Sequence, residues 1–344
     1  MKLFSGMRFF CSIMLVFVLF SCKKDNEIVP VDDWGFKKPS YFPEPHYTFE
    51  NNAQTKLRFS LGRDLFYDSI LSLDNSISCA SCHAQTHGFS DHNVAFSAGV
   101  NGTLGVRNSP ALSNLAWYPT FMWDGGIVNI ETFSVGPITN PLEMHESILN
   151  VVGKLNANSA YRNKFKLAYD VDSITDQKML QALAQYMAML ISDDSKYDKF
   201  KKGTYTFTAD ESAGYSLFQA KCASCHTEPL FTDFTYRNNG IDATFTDLGR
   251  GMITQNAADN GKFKVPSLRN VQLTYPYMHD GRYFTLSQVL DHYATGIQNS
   301  STLDPSLTSG IPLTADEKLK IIAFLKTLTD YTFMANPDLS EPIH

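Results

Sequence analysis

The sequence predicts a mainly α-helical chain built as two tandem domains with long connecting loops. Three observations predict it. Apolar residues recur at helical spacing, clearest in Leu180, Leu183, Ala184, Met187, Leu190 and Ile191, which follow one face of a 3.6-residue period. No strand-like alternation is sustained anywhere, and Gly, Pro and Asn punctuate the connecting stretches. The pentapeptide Cys-Ala-Ser-Cys-His occurs twice, at 79–83 and at 222–226.

Taken in order, residues 1–21 read as a signal peptide, because Lys2 and Arg8 precede an apolar run from Phe9 to Phe20. That run is short of the ~20 apolar residues a membrane-spanning helix needs. Leu19-Phe20-Ser21-Cys22 resembles a lipobox, so Cys22 is expected to become the lipidated first residue of the mature chain. Several acyl chains would anchor it stably, whereas one chain is marginal. Residues 22–54, rich in Pro and charge, read as a tether or a surface-hugging arm. The remaining mature chain, in a total of about 320 residues, suffices for two domains of ~150 residues.

The first of these domains is expected over 55–202 and the second over 203–344. Thr208 with Glu211 forms a capping box that opens a helix running into Cys222, and Thr314 with Glu317 opens another through Leu328. A second repeat follows each pentapeptide. Aligning Pro110 with Pro266 pairs Leu112 with Leu268, Asn114 with Asn270, Met122 with Met278, Asp124 with Asp280 and Gly125 with Gly281, without a gap. Trp123 in the first copy corresponds to His279 in the second.

C-x-x-C-H is the attachment signature of c-type haem: two thiols form thioethers to the porphyrin and the His reaches the iron. A four-Cys zinc site pairs such units ~15–20 residues apart, whereas these lie 143 apart. Two copies therefore point to two covalently bound haem c groups, held by Cys79, Cys82, Cys222 and Cys225, with His83 and His226 on the irons. The 25 Phe and 16 Tyr suit two cofactors that each need an apolar wall. A formal charge of −6 without a basic run argues against nucleic acid. Haem attachment of this kind takes place outside the bacterial cytoplasmic membrane, in agreement with export. The chain is expected to be periplasmic and lipid-anchored, with the acidic residues after Cys22 favouring the outer membrane.

The segments Leu61-Gly-Arg-Asp-Leu-Phe66, Ser78-Cys-Ala-Ser-Cys-His83, Trp123-Asp-Gly125, Gly136-Pro137, Glu143-Met144, Pro266-Ser-Leu-Arg-Asn270 and Pro276-Tyr-Met-His-Asp-Gly281 resemble the bacterial di-haem cytochrome c peroxidase family, which includes MauG. The resemblance covers roughly residues 55–335. It implies two cytochrome c-like domains, the N-terminal haem being the peroxide site and the C-terminal one relaying electrons. It also implies that Trp123 couples the haems and that Glu143 is the acid/base carboxylate beside peroxide. Asn108, Thr274 and Pro276 match residues that hold a calcium ion, a hard cation suited to oxygen donors. Homodimers are common in the family.

Three departures from the family pattern stand out. Val100 occupies the place of a second His on the peroxide haem, which would leave that iron open unless His87 or His92, expected as solvent-facing loop residues, substitutes. Tyr293 falls at the usual distal Met of the second haem, with His292 and Met278 as rivals; a phenolate favours ferric iron, whereas Met raises the potential. Phe133 replaces a distal Gln, leaving peroxide activation to Glu143. The leading expectation is reduction of hydrogen peroxide to water with electrons from a small donor protein, a cytochrome c or cupredoxin. The alternatives are MauG-like oxidation of a partner protein or organic substrate, and a non-catalytic di-haem electron carrier.

Overall fold

The computed structural model describes residues 34–343. The signal peptide, Cys11 and Cys22 lie outside the described residues. Gly35–His344 form one compact unit, mainly helical with a single short antiparallel pair, β1 (Tyr236–Arg237) and β2 (Phe263–Lys264). No helix of the described residues is long and apolar enough to cross a membrane.

The architecture rests on two helix pairs of the same design. In the first, α1 (Lys56–Tyr67) packs on α2 (Asp176–Ala188); in the second, α3 (Ala209–Lys221) packs on α4 (Ala315–Lys326). Each crossing occurs at a glycine. A Cβ on Gly62 would overlap Ala182 O, and one on Gly214 would overlap Lys320 O, so only hydrogen lets the backbones approach this closely. Both predicted capping boxes form: Thr208 Oγ1 accepts from Glu211 N, and Thr314 Oγ1 from Glu317 N, satisfying amides that have no intrahelical partner.

The expected stripe runs past its helix. α2 closes at Ala188, and Leu190 and Ile191 follow outside any helix. Leu190 is still fully buried, and its carbonyl accepts from Asn114 N at 2.7 Å. Leu328 is likewise buried just beyond α4. Apolar periodicity thus marked burial rather than helix at both ends.

The second repeat is visible in the backbone. Asn114 and Asn270 both take left-handed φ near 60°, Met122 and Met278 do so at 64° and 75°, and Gly125 and Gly281 at 70° and 66°. Each copy closes an isolated bridge, Phe121 with Ile127 and Tyr277 with Tyr283. Identical turns at aligned positions require identical residues where a side chain must tolerate φ > 0.

Residues 35–54 run along the body. Trp117 Nε1 donates to Pro43 O at 2.8 Å, Phe36 and Phe42 pack on the Trp117 ring, and Asn52 is buried. Tyr41 donates to Asp198, which pairs with Arg269 at 2.9 Å, both side chains being fully buried. At the other end, Leu339 O accepts from Tyr67 and Tyr186, so the C-terminal segment closes over the first helix pair.

Candidate functional site

Both pentapeptides lead into their histidines through the same local geometry. His83 N and His226 N each bond back to the first Cys carbonyl of their motif. His83 Nδ1 then meets Phe89 O at 3.0 Å and His226 Nδ1 meets Phe231 O at 3.0 Å. A carbonyl only accepts, so Nδ1 carries the proton in both rings and Nε2 is left as the metal-facing nitrogen, oriented as a ligand imidazole must be. Burial pushes both imidazoles below the usual histidine range, which keeps them neutral. Phe89 and Phe231 reach this position with left-handed φ of 60° and 56°.

None of the four motif cysteines is in a disulfide. Among the described residues no group of three or more His, Cys, Asp or Glu is placed to hold a metal, so the two C-x-x-C units do not assemble a zinc site.

A cavity of about 360 Å³ opens at the second motif. Cys222, Cys225, His226, Tyr293 and Met278 line it, while Trp123, Phe121 and Phe133 reach it from the first half of the chain. Its wall is largely aromatic and aliphatic, with an imidazole and two thiols converging on it. That donor set and that lining fit a thioether-bound porphyrin.

The three rivals for the distal position have different surroundings. His292 is buried, with Nε2 3.0 Å from Asn239 O, and burial holds its imidazole down. Met278 Sδ accepts from Asn239 Nδ2 at 3.3 Å. Tyr293 lines the cavity, as Met278 does, and burial pushes its phenol up to about 12. It stands in a π-helical turn, His292–Gly296, that continues the helix Leu286–Asp291; such turns re-aim a side chain at the cost of regular hydrogen bonding.

Around the first motif, Glu143 and Val100 share a backbone contact: Val100 N donates to Glu143 O at 2.8 Å. Asn140 Nδ2 donates to Glu143 Oε1 at 2.7 Å, and Asn140 Oδ1 accepts from Leu142 N, which fixes the amide orientation. Burial raises the Glu143 carboxyl above the usual range. Its charge is felt by both Cys79 and Cys82, which places the carboxylate near the first motif. Val100 is buried, and its side chain has no atom that could ligate a metal.

His87 and His92 differ from the solvent-facing loop residues expected. They are half-buried and stack on each other with centroids 3.7 Å apart. His87 Nδ1 meets Thr86 Oγ1, and His92 Nε2 meets Tyr275 Oη at 3.3 Å. Imidazole faces have apolar area to bury, and a loop can supply it with another ring.

Trp123 Nε1 donates to Asn108 O at 2.7 Å, while Asn108 N donates to His279 O at 2.7 Å. Asn108 therefore joins the two aligned positions of the repeat. Its Nδ2 turns to Ala95 O at 3.2 Å, leaving Oδ1 as an acceptor. Asn108, Thr274 and Pro276 all border the same cavity. His279 stacks on Phe263 at 3.7 Å and 11°. Sequence reasoning missed Asn140 and Asn239, neutral amides in irregular backbone that carry no motif, and Lys264, which lies two residues before the repeat begins.

Paired Cys–His cradles on a mainly helical frame define a di-haem c-type oxidoreductase. Comparisons narrow the class. The di-haem cytochrome c peroxidase signature matches residues 56–206. The chain is 36% identical to the cytochrome c551 peroxidase of Nitrosomonas europaea over 82% of each chain. It is 34% identical to the methylamine utilization protein MauG of Methylorubrum extorquens, over 85% of this chain and 83% of that one. A crystal structure of a MauG-like protein associated with microbial copper homeostasis superposes with a TM-score of 0.81 at 32% identity, covering 90% of this chain and 99% of that one. The chain belongs to the di-haem cytochrome c peroxidase family. It is thus a peroxidase-type oxidoreductase, and membership implies two haem c groups.

Proposed function

We propose that the protein is a periplasmic enzyme that reduces hydrogen peroxide to water, drawing two electrons from a small donor protein, a cytochrome c or cupredoxin. In this reading 55–202 and 203–344 are tandem cytochrome c-like domains with long loops, and Cys22 carries the lipid anchor, with the outer membrane favoured. Haem iron supplies the peroxide-binding and electron-accepting chemistry, held by thioethers to Cys79, Cys82, Cys222 and Cys225. His83 presents Nε2 at the peroxide site, its ring locked by Phe89 O. Glu143 moves a proton from the inner to the outer peroxide oxygen, a task that calls for a carboxyl titrating above its usual range. Two electrons and two protons then complete two waters.

Trp123 would couple the two sites, and Tyr293 and His226 would together hold the second haem. A calcium ion held by Asn108 Oδ1 and by Thr274 and Pro276 oxygens would clamp the same cavity wall.

The observation that carries this reading is the inequality of two otherwise identical cradles. One has Glu143 and Val100, whose side chain carries no ligating atom; the other has Tyr293 on its cavity wall. The oxidised protein should therefore show one high-spin and one low-spin ferric haem by EPR. Two low-spin haems would refute the open site and favour either the carrier or a peroxidase that must be reduced before it accepts peroxide. A MauG-like oxidation of a partner protein or organic substrate is favoured by the same Val100 and Tyr293. Steady turnover of peroxide with a reduced small cytochrome supports the peroxidase, and stored oxidising equivalents that a donor protein does not discharge support the second reading. Replacing Tyr293 by Met should raise that haem's potential.

A further inference from the structure

Four cations line the cavity at the second motif: Lys221, Arg237, Lys264 and Arg269. Three are already matched. Lys221 pairs with Glu317 at 3.3 Å, Arg237 with Asp233 and Asp304 at 2.8 Å each, and Arg269 with Asp198 at 2.9 Å. Lys264 is different. Its residue is only 9% exposed, and its Nζ donates to Thr120 O at 2.9 Å. The same Nζ lies 5.1 Å from the centre of the Tyr118 ring. No ion pair to Lys264 is formed among the described residues. The closest acidic influence, Asp124, has Oδ2 on Arg107 Nη1 and Oδ1 on Gly126 N.

An ammonium buried without a counter-ion is costly and is normally paired, or else loses its proton. In its unpaired state, burial lowers Lys264 to about 7. A cofactor that fits this cavity brings the missing charge, because haem carries two carboxylates on propionate arms. Lys264 also sits on backbone that is tied across the molecule: its own N donates to Trp123 O at 2.8 Å.

We infer that Lys264 is the positioning cation of the second haem, its ammonium pairing with a propionate carboxylate and holding that haem against the 118–125 loop that carries Trp123. This rests on the di-haem reading above. A cation beside the haem destabilises ferric relative to ferrous iron, so it holds that haem's potential up. Lys264 touches no reacting atom, and its effect is exerted through the cofactor's position and charge.

The test is spectroelectrochemical titration of the full-length holoprotein, with haem stoichiometry, for wild type, Lys264→Arg and Lys264→Met. Lys264→Met should either lose the second haem or carry it at a lower potential, with the first haem unmoved, and the propionate-bending resonance Raman bands of the second haem should shift. Lys264→Arg, which keeps the charge, should load both haems at wild-type potentials. The inference is overturned if Lys264→Met keeps both haems at unchanged potentials. It is also overturned if Lys264→Arg loses the haem or the potential as Lys264→Met does, since charge would then not be the property required. The as-isolated EPR of the wild type tests the di-haem reading separately.

Discussion

Substituting Glu143 by Gln isolates the carboxyl's proton from its shape. Asn140 Nδ2 donates to Glu143 Oε1 at 2.7 Å and is itself fixed by Leu142 N, so a Gln carbonyl can accept the same bond. What disappears is a proton that can be taken up and released. General acid–base catalysis of this kind is worth ~10²–10⁴-fold, or about 3–5 kcal/mol of barrier. The expected result is a fall of kcat/KM for peroxide in that range, with both haems still bound and the EPR of the oxidised protein unchanged.

Stability should move the other way. Burial raises the folded carboxyl's pKa, so the folded state holds its proton longer than the unfolded chain. At low pH both states are protonated and Glu143 costs nothing. As pH rises past the ordinary carboxylate range the unfolded chain ionises first, and stability falls until the folded group has also ionised. Each pH unit of that lag is worth about 1.4 kcal/mol. Gln escapes the penalty, so Glu143→Gln should melt higher than wild type near neutrality and equal to it in acid. A loss below tenfold in kcat/KM, measured with a reduced small donor in excess, would refute the assigned role. Equal melting temperatures at both pH values would refute the buried carboxylate.

Two further perturbations probe the frame. Gly62→Ala and Gly214→Ala each drive a methyl into a backbone carbonyl of the facing helix; overpacking costs ~1–3 kcal/mol or more and outweighs the ~0.5–1 kcal/mol of helix propensity gained. Each should lower the melting temperature and cost haem at its own half of the molecule, and a neutral or stabilising result would refute the close crossing. Arg269→Met leaves Asp198 buried and unpaired, a loss of about 3–5 kcal/mol, read as a drop in the melting midpoint; adding Asp198→Asn should recover much of it, and failure to recover would mean that Arg269 acts by packing on Phe42.

How far the site was legible depends on the kind of residue. Cys79, Cys82, His83 and their counterparts announce themselves because thioether attachment demands adjacent residues at fixed spacing. The capping boxes of α3 and α4 were legible for the same reason, being local hydrogen bonds between residues three apart. Tyr293 came with two rivals in its own neighbourhood, and nothing in the spacing ranks His292, Tyr293 and Met278. Asn239 meets His292 through its carbonyl and Met278 through its amide, contacts the spacing could not foretell because it is more than 35 residues away from either. His87 and His92 misled because a polar residue in a Gly- and Asn-rich loop reads as solvent-facing; their partner Tyr275 is contributed by the other half of the chain.

The sequence by itself therefore determined the repeat, the helical class and the attachment chemistry, all of which are carried by residues within a few positions of one another. Tertiary structure decided which side chains remain free to act. Whether an imidazole, a thioether or an ammonium is already satisfied depends on long-range contacts and on how much water burial has removed. Lys264 shows the difference: in the sequence it is one of 29 Lys and Arg residues, and in the fold it is a buried amine on a cavity wall with no carboxylate paired to it among the described residues.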